Sequence, residues 1–248
     1  MRRIKYRLAD TAGYVLGFPG SVRQPRGVRV LMFHGVDDDV DADHELYNHS
    51  IDRFYSHILA VSEWLSDHGQ TFVALHDTST NGICLTFDDG YASIARTVCP
   101  FLIDRGIPFH VFVPVELCDM QSGLHLSRAQ IRDLATEPLV GIGSHGYSHV
   151  PLAGLAATKL RHELTRSRSE LEELTGREIT SMSYPFGSFG DEVCHAVREA
   201  GFTRAATSRP GILDSATDLL RIPRTDIWAM DSNRTVINKI RGGWDLLL

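Results

Sequence analysis

The sequence predicts an α/β fold, and three observations carry that expectation. Short β-rich runs alternate with amphipathic helical segments along most of the chain, giving about seven or eight such units. Polar residues suited to chemistry recur directly after the strand-like runs: His34, Asp88, His145 and the turn from Tyr184 to Gly187. The length, 248 residues, is enough to bury a full core in one domain. This pattern fits an α/β barrel or a large doubly wound sheet, and in either fold the strand ends share one face.

Taken in order, residues 21–27 have the composition of a linker. Residues 28–33 form a β-rich run that stops at His34-Gly35. Asp37 to Asp43 is an acidic stretch that misses the spacing of a calcium-binding helix–loop–helix, so a solvated loop is expected. Residues 51–68 place Ile51, Phe54, Ile58, Val61 and Leu65 at helical spacing, with Ser50 as an N-cap and Gly69 as the stop. Strands are expected over 71–75 and 83–87. A helix over 94–105 must accommodate Pro100, and a strand follows at 109–113. Ser127 and Gln130 have capping-box spacing and open a helix to about Ala135. A strand over 139–142 runs into Ser144-His145. Residues 155–174 read as a long amphipathic helix closed by Gly176. Strand 180–184, helix 191–200, strands 204–207 and 219–223, and helix 231–241 complete the pattern.

Composition narrows the function. The net charge of −6 argues against a general nucleic-acid binder. The four cysteines are far apart and include no Cys-x-x-Cys, which fits reduced thiols better than a zinc ribbon or a disulfide framework. No run of about 18 apolar residues is present to span a membrane. Residues 1–7 are basic and 12–20 are apolar but broken by glycine. That makes a poor export signal, and peripheral membrane contact through residues 1–20 stands beside a plain N-terminal extension over 1–27. The expected compartment is the cytoplasm or the inner membrane face, with export left open. The catalytic region is expected over 28–248.

The chemistry centres on Thr86-Phe87-Asp88-Asp89-Gly90. Two carboxylates at a strand end repel each other, so a cation or a shared proton is expected between them if both are sheltered. An isolated Asp-Asp-Gly is an ordinary turn; the His145-Gly146-Tyr147-Ser148-His149 segment changes its meaning. Two imidazoles at that spacing plus one carboxylate make a two-nitrogen, one-oxygen ligand set with open positions, suited to zinc or a similar divalent ion. Such an ion acidifies bound water and polarises a carbonyl, and the second carboxylate can take the proton. His34 is the candidate acid for a leaving amine. The turn Tyr184-Pro185-Phe186-Gly187 could offer a backbone N–H, that of Phe186, to an oxyanion.

These segments resemble the motifs of the polysaccharide deacetylase family, also called the NodB homology domain or carbohydrate esterase family 4. Thr86 to Gly90 matches the first motif. His145 to His149 matches the second, with Gly146 at the usual Ser/Thr position. Ser183 to Gly187 matches the third, and the likeness spans roughly residues 28–227. The resemblance implies a distorted (β/α)7 barrel and metal-dependent removal of acetyl from an N-acetylated sugar. Asp88 would be the base and Asp89, His145 and His149 the metal ligands. Zinc is the first expectation, with cobalt, nickel or manganese as alternatives. The substrate would be an N-acetylated sugar, an oligosaccharide or a lipid-linked glycan.

Two departures stand out. Ser183 occupies the place of the third motif's arginine, and the late Leu-x-x-His of many members is absent. Met32-Phe33-His34 and Tyr184-Pro185-Phe186-Gly187 fit better the branch resembling poly-N-acetylglucosamine deacetylases of exopolysaccharide, in which an early histidine is the acid. Arg224 is a candidate replacement for the missing arginine; a surface or salt-bridging arginine is the plainer expectation. Two other readings accompany the hydrolase: a relative that holds sugar without turnover, and a hydrolase of non-sugar amides or formamides on the same fold.

Overall fold

The computed structural model describes residues 26–38, 47–77, 80–120 and 123–245. The expected N-terminal segment through residue 25 and most of the acidic loop after Asp38 lie outside them. The elements are β1 (Val28–Phe33), α1 (Ile51–Asp67), β2 (Thr71–Phe72), β3 (Gly82–Phe87), α2 (Cys99–Asp104) and β4 (Phe109–Val113). They continue with α3 (Arg128–Thr136), β5 (Val140–Ser144), α4 (Ala157–Thr175), β6 (Ser181–Ser183), α5 (Asp191–Glu199), β7 (Arg204–Ala206), β8 (Thr225–Asp226) and α6 (Asn233–Ile240).

Every strand pairing is parallel, in the spatial order β7-β6-β5-β4-β3-β1-β8, with β2 against the start of β3. β1 and β3 run in register from Val28 opposite Gly82 to Phe33 opposite Phe87. Both strands are buried along their full length, as expected when both faces are covered. The sheet curls until the chain before β8 meets β7 through a parallel bridge between Ala206 and Ile222. The result is the expected distorted barrel of seven strands, with β2 as an accessory.

Alternation along the strands separates two cores. Leu31, Phe33, Leu85, Phe87 and Val111 face the helices, whereas Val30, Cys84, Phe112 and Ala206 fill the interior. All four cysteines are free, as their spacing implies. Among the described residues no helix is long and apolar enough to cross a membrane.

Local chemistry explains most boundaries. Ser50 accepts a hydrogen bond from the Arg53 N–H at the start of α1. The Ser127–Gln130 capping box is complete in both directions. Three expectations are corrected. The 94–105 helix begins as a π-helical turn at Ile94–Val98, and the extra residue places Pro100 in the first turn of α2, where a missing N–H does no harm. The strand expected over 71–75 ends at Phe72. The strand expected over 219–223 is reduced to the Ile222 bridge, and β8, two residues further on, pairs with β1 instead.

Candidate metal centre and active site

The carboxyl ends of β1, β3, β5, β6 and β8 surround a cavity of about 630 Å³ lined by His34, Asp88, Asp89, His145, His149, Phe186 and Asp226 among others. Asp88 prolongs the β3 ladder, its N–H donating to the Phe33 carbonyl at 2.9 Å. Asp89 then turns into the left-handed region at φ +66°. That reversal sends the two carboxylates to different partners, as their adjacency predicts.

Asp89, His145 and His149 each bring one ligand atom to within 4.8 Å of the others. Asp89 Oδ1 lies 3.4 Å from His145 Nε2 and 3.1 Å from His149 Nε2. Two ligands bound at 2.0–2.1 Å around a tetrahedral ion sit about 3.3–3.4 Å apart, so the donor set fits a zinc-sized cation. His145 Nδ1 donates to the Ser183 carbonyl at 3.0 Å, which leaves its Nε2 lone pair facing Asp89. Burial pushes the Asp89 carboxyl up, but the imidazoles of His145 and His149 beside it outweigh burial and hold the group well below its ordinary value. Burial opposes a proton on His145, while Asp88 and Asp89 favour one and raise it overall. A proton therefore competes with a cation for the same lone pair.

Glu163, buried on α4, holds the histidine loop. It accepts from the Tyr147 N–H at 3.0 Å, the Ser148 N–H at 2.9 Å and the Ser148 hydroxyl at 2.6 Å. Gly146 sits at φ +74°, a conformation that side chains rarely adopt, so a Ser or Thr at this position would be strained here. His149 and Phe186 also have positive φ, so the described non-glycine residues with strained backbones, Asp89 included, all lie at this site.

Arg224 is fully buried and clamps Asp88. Its Nη1 donates to Asp88 Oδ1 and its Nη2 to Asp88 Oδ2, each at 2.7 Å, while Nε donates to the Thr207 carbonyl at 2.8 Å. Nη2 also donates to the Ser183 hydroxyl at 2.7 Å, and that hydroxyl donates to Asp88 Oδ2 at 3.1 Å. A guanidinium from the segment entering β8 thus holds Asp88, and the small Ser183 side chain lies against it. The expectation of a surface arginine is overturned; the salt bridge is real but buried. Burial alone pushes the Asp88 carboxyl up; the Arg224 charge, with His145, overcomes that and brings it to about 2.

His34 borders the cavity with its ring 4.8 Å from that of Tyr47, and its buried Nδ1 has no hydrogen-bond partner among the described residues. Asp226, which the sequence reading missed, lines the same cavity. The register pairs it with Met32, two residues before His34. Trp228 Nε1 donates to Asp226 Oδ2, and Oδ1 has no partner among the described residues. Burial pushes the Asp226 carboxyl up against the pull of His34 and Lys239. Arg224 and Asp226 stand two residues apart on an extended segment, and that spacing was the available signal.

Tyr184 borders the cavity, but its hydroxyl donates to the Leu220 carbonyl at 2.8 Å and is not free for a substrate. The exposed Phe186 ring lies 4.8 Å from that of His149. The turn spends the N–H groups of Gly187 and Ser188 on the Tyr184 and Pro185 carbonyls.

The sequence pattern of the family described as polysaccharide deacetylase matches residues 76–205. The chain belongs to the polysaccharide deacetylase family. This deacetylase is 23% identical to YxkH of Bacillus subtilis over 212 residues, 82% of this chain and 70% of the relative. Among solved structures it is similar to the Streptococcus pyogenes deacetylase PplD in complex with acetate, with a TM-score of 0.75, 18% identity, and 87% of this chain and 99% of that one covered. IcaB from Ammonifex degensii gives a TM-score of 0.73 at 21% identity, covering 89% of this deacetylase and 98% of that chain. A de-N-acetylase from Aggregatibacter actinomycetemcomitans gives 0.73 at 20% identity, covering 86% and 99%. At these identities the structural likeness speaks to the fold.

Proposed function

We propose that this deacetylase hydrolyses N-acetyl groups on a glycan, using a divalent cation held by Asp89, His145 and His149. The observation that carries the reading is the clamped Asp88 carboxylate beside that three-ligand triangle, 3.8 Å from His145 Nε2. Two imidazole nitrogens and one carboxylate suit zinc. When bound, the ion supplies Lewis acidity toward water and the acetamide carbonyl.

The remaining steps belong to the chain. Asp88, kept ionised and oriented by Arg224, takes a proton from the attacking water. The new C–O bond gives a tetrahedral oxyanion, and its collapse breaks the amide C–N bond. His34 gives a proton to the departing amine, and Asp226 steadies it electrostatically. The Phe186 N–H is the backbone donor assigned to the oxyanion. The products are acetate and a free amino sugar. The exposed Tyr47 and Phe186 rings at the cavity offer apolar faces against which a sugar ring can lie. The acetate complex of PplD and the named activity of the Aggregatibacter protein support this chemistry.

The test is acetate release from N-acetylglucosamine oligomers. Release that a chelator stops and added zinc restores is expected. Release indifferent to the chelator, or none from any N-acetylated oligosaccharide by metal-loaded protein, contradicts the proposal.

A further inference from the structure

A second cavity, of about 480 Å³, opens at the opposite end of the barrel, where β4, β5, β6 and β7 begin. Its walls include His76, His110, Arg177, Ser181 and Arg204. Alternation aims His110, Ser181 and Arg204 inward, in line with Phe112, Ser183 and Ala206 further up the same strands. The interior cluster of Val30, Cys84, Phe112 and Ala206 lies between this layer and the catalytic face, so the two cavities are separate.

The rear cavity carries uncompensated positive charge. Arg204 Nε is buried with no hydrogen-bond partner among the described residues, an unusual state for a guanidinium. Arg177 donates one bond to the Val140 carbonyl at 3.3 Å and has no carboxylate partner among the described residues. Glu178, the one carboxylate in the wall, is largely exposed and pairs with Arg168 at 3.4 Å. The His110 ring fits because Gly141 faces it; a Cβ at that position would lie 2.1 Å from His110 Nδ1. His110 Nε2 and the Ser181 hydroxyl share a hydrogen bond at 2.9 Å, so this layer is polar by construction. Burial above all, helped by the neighbouring His76, Arg224 and Arg204 and opposed by Asp88, lowers His110 to about 3, so its ring stays neutral.

We propose that the rear cavity is a binding site for a small oxyanion, a phosphate monoester or a carboxylate, held by Arg204 with His76 and Arg177 at its edge. The cavity has room for the rest of a small ligand, and Pro108, Leu139 and Ile179 give that part an apolar wall. A guanidinium with a free edge matches two oxygens of one anion, as Arg–phosphate and Arg–carboxylate pairs do.

The experiment titrates the full chain, metal-loaded, with inorganic phosphate and separately with acetate, by calorimetry. The same titrations are run on Arg204→Gln, His76→Gln and, as a control for anions held at the catalytic face, His149→Ala. Saturable binding that Arg204→Gln weakens by about tenfold or more, and that His149→Ala leaves in place, is expected. His76→Gln, on a loop at the cavity edge, should weaken it about threefold and covers the case in which Arg204→Gln does not fold. Preference for phosphate identifies a phosphoryl ligand, and preference for acetate a carboxylate. Absence of saturation, binding indifferent to both rear-cavity substitutions, or binding lost with His149→Ala overturns the proposal.

Discussion

Arg224→Met removes five donated hydrogen bonds at once, to Asp88, Thr86, Ser183 and Thr207. The consequence is largest at Asp88, whose carboxylate stays buried with the Ser183 hydroxyl as its remaining neutral donor. Breaking a buried pair from one side costs about 3–5 kcal/mol, because the other charge is left uncompensated. For a chain of this length that is a fall of roughly 6–20 °C in Tm. Activity should fall by about 10²-fold or more, since Asp88, the proposed base, loses its orientation as well as its charge partner. The sign of the pH effect follows from the same contacts. The folded Asp88 carboxyl, at about 2, lies below its ordinary 3.8, so its contribution to stability is present above 3.8 and is lost as pH falls through about 2. Without Arg224, burial dominates and the carboxyl moves up, so the acid limb of the kcat/KM profile should shift to higher pH. Thermal melts and pH profiles of acetate release measure both. The double variant Arg224→Met, Asp88→Leu should recover much of the lost Tm, because no orphan charge remains. An Arg224→Met protein with the parental Tm and an unmoved acid limb refutes the assigned clamp.

Three further outcomes follow from other contacts. Asp226→Asn should lower kcat about 10- to 100-fold with metal content unchanged, and the pH profile should change on the limb set by the acid; an unchanged profile removes Asp226 from the proton path. Glu163→Ala strands the Tyr147 and Ser148 N–H groups and should weaken metal affinity about 10- to 100-fold, read by competition with a chelating dye, with Glu163→Gln intermediate; equal affinity in all three proteins contradicts the positioning role. Burial, then His57 and His34, lower His49 from 6.5 to about 3, so the unfolded chain takes up a proton that the folded chain refuses, and the folded state is penalised as pH falls below 6.5. At pH 4.5 that amounts to roughly 3 kcal/mol, so the stability gap between parent and His49→Gln in urea should narrow by about that much from pH 7 to 4.5, and a constant gap argues against a neutral buried histidine.

The barrel was legible because its signals are local. Period-2 runs, capping residues and strand-end polar groups sit within a few residues of each other, and the Asp88–Asp89 and His145–His149 segments carry their chemistry in their spacing. Arg224 was seen only faintly because its partner Asp88 lies 136 positions away and the two meet only when the sheet curls. Ser183 read as a loss because its value lies in the space it gives a side chain from another strand. Glu163 was hidden in a long amphipathic helix, although it falls on the buried stripe with Leu160, Leu164 and Leu171, where a carboxylate needs partners. The expected strand at 219–223 had the apolar pattern of a strand, but the chain there only bridges toward β7 before β8 takes the ladder.

The most direct measurement follows metal content and acetate release on the same samples of the parent, His149→Ala and Asp88→Asn. One divalent ion per chain is expected in the parent and in Asp88→Asn, and a weakened site in His149→Ala. Acetate release should fall by about 10²–10⁴-fold in Asp88→Asn despite its bound ion. Full turnover by Asp88→Asn, or by parent protein stripped of metal, contradicts the division of labour between the two adjacent aspartates.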